Sequence, residues 1–189
     1  MSENKKQSKQ IIVALVENRP GVLNRIASLF RRRNYNVDSL TVGRTHKPHI
    51  SRMTIAVDAE PGKVRQIVAN LYKLVNVIDV RSLSNEPYVS RDLALVKVRT
   101  DDTESYNAVT EVCERFPARI VDIGTAVAIL EITAREEVIE DFLQALEPIG
   151  IVEMVRTGVV AMGRGVRIQD TEYRPVVPVS NGNGRSGAI

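Results

Sequence analysis

Apolar and polar positions run through the same order twice along this chain. Residues 11–16 (IIVALV) form an unbroken, largely β-branched run that ends in a polar loop with Pro20 and Gly21, the pattern of a buried strand. Beyond Pro20, the apolar residues Val22, Leu23, Ile26, Ala27, Leu29 and Phe30 keep to one side of a helix. Arg31, Arg32 and Arg33 follow and suit the negative end of its dipole. Segments 36–43 and 51–57 alternate as half-buried strands do, Val64, Ile67, Val68 and Leu71 mark a second helix after Pro61-Gly62, and 76–83 reads as a last strand. Strand, helix, strand, strand, helix, strand is the split β-α-β, ferredoxin-like order.

Residues 84–90 (SNEPYVS) read as a linker, and the order then returns. A strand is predicted over 92–99, then a helix from Asp101 or Asp102 with Tyr106, Val109, Cys113 and Phe116 on one face. Strands over 118–123 and 126–132 are joined by Gly124-Thr125. A helix from about Ala134 carries Val138, Ile139, Phe142 and Leu146, and a strand spans 149–155. The expected fold class is α+β, two ferredoxin-like βαββαβ domains in tandem, at 11–84 and 85–168. The apolar stretch 158–165 is expected to pack at the end of the second domain. Residues 1–10 are expected to be a flexible segment, and 169–189, rich in Pro, Gly, Ser and Asn without a period, a disordered tail.

Charge and composition narrow the function. The pI near 9.1 hints at a polyanion, but of the net +3 the first ten residues hold +2, leaving 11–169 close to neutral. A dedicated nucleic-acid surface needs clustered cations. Ferredoxin-like RNA readers also display aromatic residues on the sheet, whereas the strands here carry Val, Leu, Met, Thr and Ile, so RNA is not the expected partner. No apolar run approaches the length that spans a bilayer, and a single Cys excludes an intramolecular disulfide. A cytoplasmic protein is expected.

Candidate chemistry is sparse. No nucleophile–base pair, cofactor loop or metal-ligand spacing stands out, so no catalytic residue and no metal site is predicted. His46 and His49 flank Pro48 without Cys or carboxylate neighbours, and Cys113 holds a core-facing helical position. The loop Glu17-Asn18-Arg19-Pro20-Gly21 before the first helix is different. Amides at a helix start attract a carboxylate, Gly21 admits a ligand close to the backbone, and Asn18 and Asn36 offer the donors and acceptor that one amino-acid zwitterion needs. Asn and Gly also form turns without any ligand, so the residues alone leave both readings open.

The segments ENRPGVLNRIASLF, RNYNVDSLTVG, SRMTIAV and YKLVNVIDV resemble the small regulatory subunit of acetolactate synthase, over roughly residues 10–168. The resemblance implies an ACT domain in the first half, a homodimer, and a separate catalytic subunit that carries thiamine diphosphate, magnesium and FAD, with no cofactor on this chain. It also implies activation of that subunit and feedback inhibition by a branched-chain amino acid, commonly valine. Carried over residue by residue, the effector site consists of Asn18, Gly21, Val22, Leu23, Asn36 and, from a second copy, Val37. The family usually has Gly where this chain has Asn34, a residue that tolerates the left-handed conformation. A free-standing ACT amino-acid sensor controlling another enzyme is the alternative reading.

Overall fold

The computed structural model describes residues 9–165; the segments 1–8 and 166–189, and with them the expected tail, lie outside. The chain runs β1 (Lys9–Glu17), α1 (Val22–Arg32), β2 (Val37–Arg44), β3 (Ile50–Asp58), α2 (Pro61–Leu71), β4 (Val77–Ser82), β5 (Tyr88–Arg99), α3 (Thr103–Arg115), β6 (Ala118–Ile123), β7 (Val127–Ala134), α4 (Glu136–Leu146), β8 (Ile151–Arg156) and β9 (Val160–Gly163). The first sheet has the antiparallel order β2-β3-β1-β4 and the second β6-β7-β5-β8, two ferredoxin-like units as expected.

Each sheet is covered by helices on one face. In the first unit Ile12, Ala14 and Val16 of β1 and Met53, Ile55 and Val57 of β3 meet Val22, Ile26, Leu29 and Phe30 of α1 and Val64, Ile67 and Leu71 of α2. In the second, Ala94, Val96 and Val98 of β5 and Ala128, Leu130 and Ile132 of β7 meet Val109 and Val112 of α3 and Ile139, Phe142 and Leu146 of α4. Cys113 is half-buried against this second core, and burial pushes its thiol pKa up. α3 starts where its sequence predicts, with Asp102 as N-cap: its carboxylate accepts from the Ser105 amide at 2.8 Å while Ser105 Oγ accepts from the Asp102 amide at 3.2 Å.

Two sequence expectations fail for one shared reason. Tyr88, Val89 and Ser90 are not linker but the start of β5, and 158–165 does not close the end of the second unit. Instead β9 pairs with that start of β5, Tyr88 opposite Gly163 and Arg91 opposite Val160. The ribbon so formed covers the helix-free back of the first sheet, where Val159 and Ala161 join Ile11, Val13, Ala56 and Leu83 in a third apolar cluster. Arg52 of β3 donates to the Ala161 carbonyl at 2.7 Å, Thr41 Oγ1 to the Thr157 carbonyl at 3.2 Å, and Lys9 Nζ reaches Glu136 at the start of α4 at 2.5 Å. The back of the first sheet is thus an internal seam.

Candidate effector-binding site

Gly21 caps α1 with φ +82, and a Cβ built there meets nothing within 4 Å. No side chain caps the helix and no acidic residue lies in its first turn. α2 likewise has neither a side-chain cap nor an acidic residue in its first turn, though Pro61 opens it, whereas α3 has its capping box and α4 has Glu136 and Glu137 in its first turn. The start of α1 therefore keeps a positively polarised end with amides available to an anion. Asn18 is fixed beside it. Its amide donates to the His49 carbonyl at 2.8 Å and its Nδ2 to the Pro48 carbonyl at 3.0 Å, so the side-chain oxygen is the atom left to face outward. Val22 is buried in the core, and Leu23 is 48% exposed on the rim.

A second network braces this loop. Asn76 Nδ2 donates to Glu17 Oε2 at 2.7 Å, Arg25 Nη1 donates to Asn76 Oδ1 at 2.6 Å, and the Glu17 amide reaches the Asn76 carbonyl at 2.9 Å. Neither Arg25 nor Asn76 stands out in the sequence; they are brought together only because β4 follows α2 back alongside β1. His46 and His49 sit in the β2–β3 connection that Asn18 clips, and there His49 contributes a backbone carbonyl.

Asn36 and Val37 lie elsewhere. Glu17 is paired with Ile50 at one end of β3, while Val37 is paired with Val57 at the other. Seven residues of strand separate the two ends, roughly 23 Å at about 3.3 Å per residue. One chain therefore cannot close Asn18 and Asn36 on a single amino acid. Asn36 is exposed, and Val37 is half-buried against the first core. The turn before them is as expected: Asn34 takes φ +51, with its amide on the Arg31 carbonyl and the Tyr35 amide on the Phe30 carbonyl. Among the described residues there is no cluster of three or more His, Cys, Asp or Glu that could hold a metal ion, and no helix is long and apolar enough to cross a membrane.

A family model described as the AHAS small subunit-like ACT domain matches residues 12–79, and one described as the small subunit of acetolactate synthase matches 91–165. The chain is 44% identical over 153 residues to the acetolactate synthase small subunit of Mycolicibacterium smegmatis, covering 81% of this chain and 89% of that one. With the acetolactate synthase small subunit of Aquifex aeolicus it shares 40% identity over 164 residues, 87% of this chain and 85% of the relative. The crystal structure of the acetolactate synthase small subunit from Thermotoga maritima matches with a TM-score of 0.78 and 37% identity, over 84% of this chain and 99% of that one. Two family models in the order of the two folded units, and relatives similar over nearly their whole length, give one conclusion: the chain belongs to the acetolactate synthase small-subunit family, with an ACT domain as its first half.

Proposed function

We propose that the chain is the regulatory subunit of an acetolactate synthase in branched-chain amino-acid biosynthesis, and that it binds a branched-chain amino acid, valine by preference, to set the activity of a separate catalytic subunit. Catalysis belongs to that partner, which carries thiamine diphosphate, magnesium and FAD; this chain carries no cofactor and no catalytic residue. Residues 11–84 form the effector-binding ACT domain and 85–168 the second domain. The observation that carries the reading is the open, uncapped start of α1 at Gly21 beside Asn18, within a chain of this family.

The separation of Asn18 from Asn36 supports a homodimer. β2 is an edge strand with Leu40 37% and Val42 45% exposed beside the core residues Ile55 and Met53. Antiparallel pairing of two β2 edges reverses one against the other, so the Val37 end of one copy comes beside the β2–β3 connection that Asn18 clips in its partner. Valine then has its carboxylate on the α1 amides, its ammonium between the Asn18 side-chain oxygen and the partner's Asn36, and its isopropyl group between Leu23 and the partner's Val37. β2 also leads onward: Ser39 and Thr41 touch Thr157 and Gly158 of the second unit. Effector-dependent movement of β2 is felt there, and differential affinity for two dimer arrangements supplies the inhibition.

Calorimetry with valine tests the site. Asn18→Ala and Asn36→Ala each weaken binding; parental affinity in both variants rejects it. Co-purification with a thiamine-diphosphate enzyme, and valine-sensitive activation on reconstitution, separate this function from a free-standing sensor of another enzyme.

A further inference from the structure

A cavity of about 550 Å³ opens where the back of the first sheet meets the β5–β9 ribbon, on the face opposite α1. Four arginines are among its lining residues: Arg44 at the end of β2, Arg52 of β3, Arg91 of β5 and Arg164 just beyond β9. No Asp or Glu lines it. Among the described residues none of the four is ion-paired. Arg52 spends one donor on the Ala161 carbonyl and Arg91 one on the Ser90 carbonyl, both at 2.7 Å. Elsewhere in the protein Arg156 is ion-paired with Asp92 and Glu140, and Arg119 with Glu131.

Four arginines around one half-enclosed space, with no carboxylate among its lining residues, favour an anion there. Arg52 is the half-buried one of the four; burial, and then the charge of Arg81 outside this lining, lower its pKa. The guanidinium fork matches phosphate oxygens in pairs, so phosphate is the anion these side chains fit best. The walls between the arginines are mostly apolar, with Val89 39% and Met162 64% exposed, and the volume lies in the range of small-molecule sites. We propose that this cavity binds a small organic phosphate, its phosphoryl oxygens held by the four arginines and its apolar body resting on Val89 and Met162. Because Arg44 and Arg52 come from the first unit and Arg91 and Arg164 from the ribbon of the second, such a ligand clamps the seam. The site is independent of the valine site and of the reading given to it.

The test is titration of the full chain at low salt with inorganic pyrophosphate, orthophosphate and 4-nitrophenyl phosphate, followed by calorimetry and thermal melting. Saturable binding of pyrophosphate and of 4-nitrophenyl phosphate, both tighter than orthophosphate and weakened by added salt, is the expected result. Arg91→Gln with Arg164→Gln, both exposed in the parent, weakens binding about tenfold or more while the circular-dichroism spectrum stays parental. Should that pair melt early, Arg164→Gln alone gives the same readout, and Asn18→Ala leaves phosphate binding unchanged. No saturation up to about 10 mM of any probe, or equal affinity in the arginine variants, overturns the proposal. So does a glutamate-rich decapeptide that binds the same arginines more tightly than every phosphate, which would make the cavity a surface for an acidic protein segment.

Discussion

Gly158 lies against Ser39 so closely that a Cβ on the glycine would stand 3.0 Å from the Ser39 Cβ and 3.2 Å from Thr41 Oγ1, and its φ of +80 is one that side chains resist. The residue sits between β8 and β9, where the chain leaves the second unit to cover the first. Gly158→Ala therefore suffers twice, from the left-handed backbone, about 1–2 kcal/mol, and from contact with a strand that cannot retreat without disturbing its pairing to β3. The expected outcome is a lower melting temperature together with faster amide exchange in β9, while the α3–α4 core keeps its protection. Parental exchange in β9 would show that this contact does not hold the seam.

Among the described residues, Asp92 and Arg156 make the best-enclosed ion pair. The Asp92 side chain is 1% exposed and accepts from Arg156 Nε at 2.8 Å and Nη2 at 2.6 Å, and from Thr157 Oγ1 at 3.1 Å. Arg156 is 21% exposed and also reaches Glu140. Burial works against the Arg156 charge, yet the bonds to Glu140 and Asp92 outweigh it and hold its pKa up. Arg156→Gln strands a buried carboxylate and is expected to cost about 3–5 kcal/mol. Asp92→Asn costs less, because Arg156 keeps Glu140 and some water. Urea unfolding of both variants checks the order, and the reverse order contradicts the account.

The capping carboxylate of Asp102 gives a pH dependence with a definite sign. Its backbone bond from Ser105, and then the bond from the Ser105 side chain, lower its pKa below the ordinary value near 3.9. A group with a depressed folded-state pKa stabilises above its unfolded-state pKa, and that contribution fades as pH falls through the folded value. Asn caps equally well without titrating. The urea midpoint of the parent should thus fall relative to Asp102→Asn between about pH 4 and the lower folded-state value; a constant difference from pH 6 down to pH 2 refutes this role.

Val42 and Leu40 are where the dimer proposal is most exposed to test. A charge on the outer edge of β2 opposes pairing between edges yet leaves the helix-covered core of the first unit intact. Val42→Lys is expected to shift the protein towards monomer in sedimentation experiments and to abolish valine binding with parental secondary structure. A monomer that still binds valine with parental affinity means that both halves of the site lie on one chain.

Within each unit the elements were legible because each is decided locally. The helical spacing of apolar residues after Pro20, the capping residue Asp102 and the run after Pro61 all announce themselves, and α3, β6 and α2 lie where expected. The proposed effector residues were legible only as a set. The sequence names Asn18 and Asn36 but not their distance, since that depends on which ends of β1 and β2 meet along β3. One signal of the seam was present in β1. An unbroken IIVALV indicates a strand buried on both faces, with Ile11 and Val13 behind and Ile12 and Ala14 in front, whereas DLALVKVR in β5 alternates because one face of its sheet stays open.

By itself the sequence determined two ferredoxin-like units, their helices and inward-facing strand positions, and the candidate loop at Asn18 and Gly21. Periodicity, capping and turn residues act over a few positions, and a short window contains all of that information. Tertiary structure alone decided that β9 leaves its own unit to cover the back of the first sheet, that Gly158 must pass Ser39, and that Arg44, Arg52, Arg91 and Arg164 surround one cavity. Among those contacts, Arg52 to Ala161 and Ser39 to Gly158 join residues more than 100 positions apart. What fixes them is the burial of apolar surface on the rear of a sheet, a requirement that no local pattern specifies.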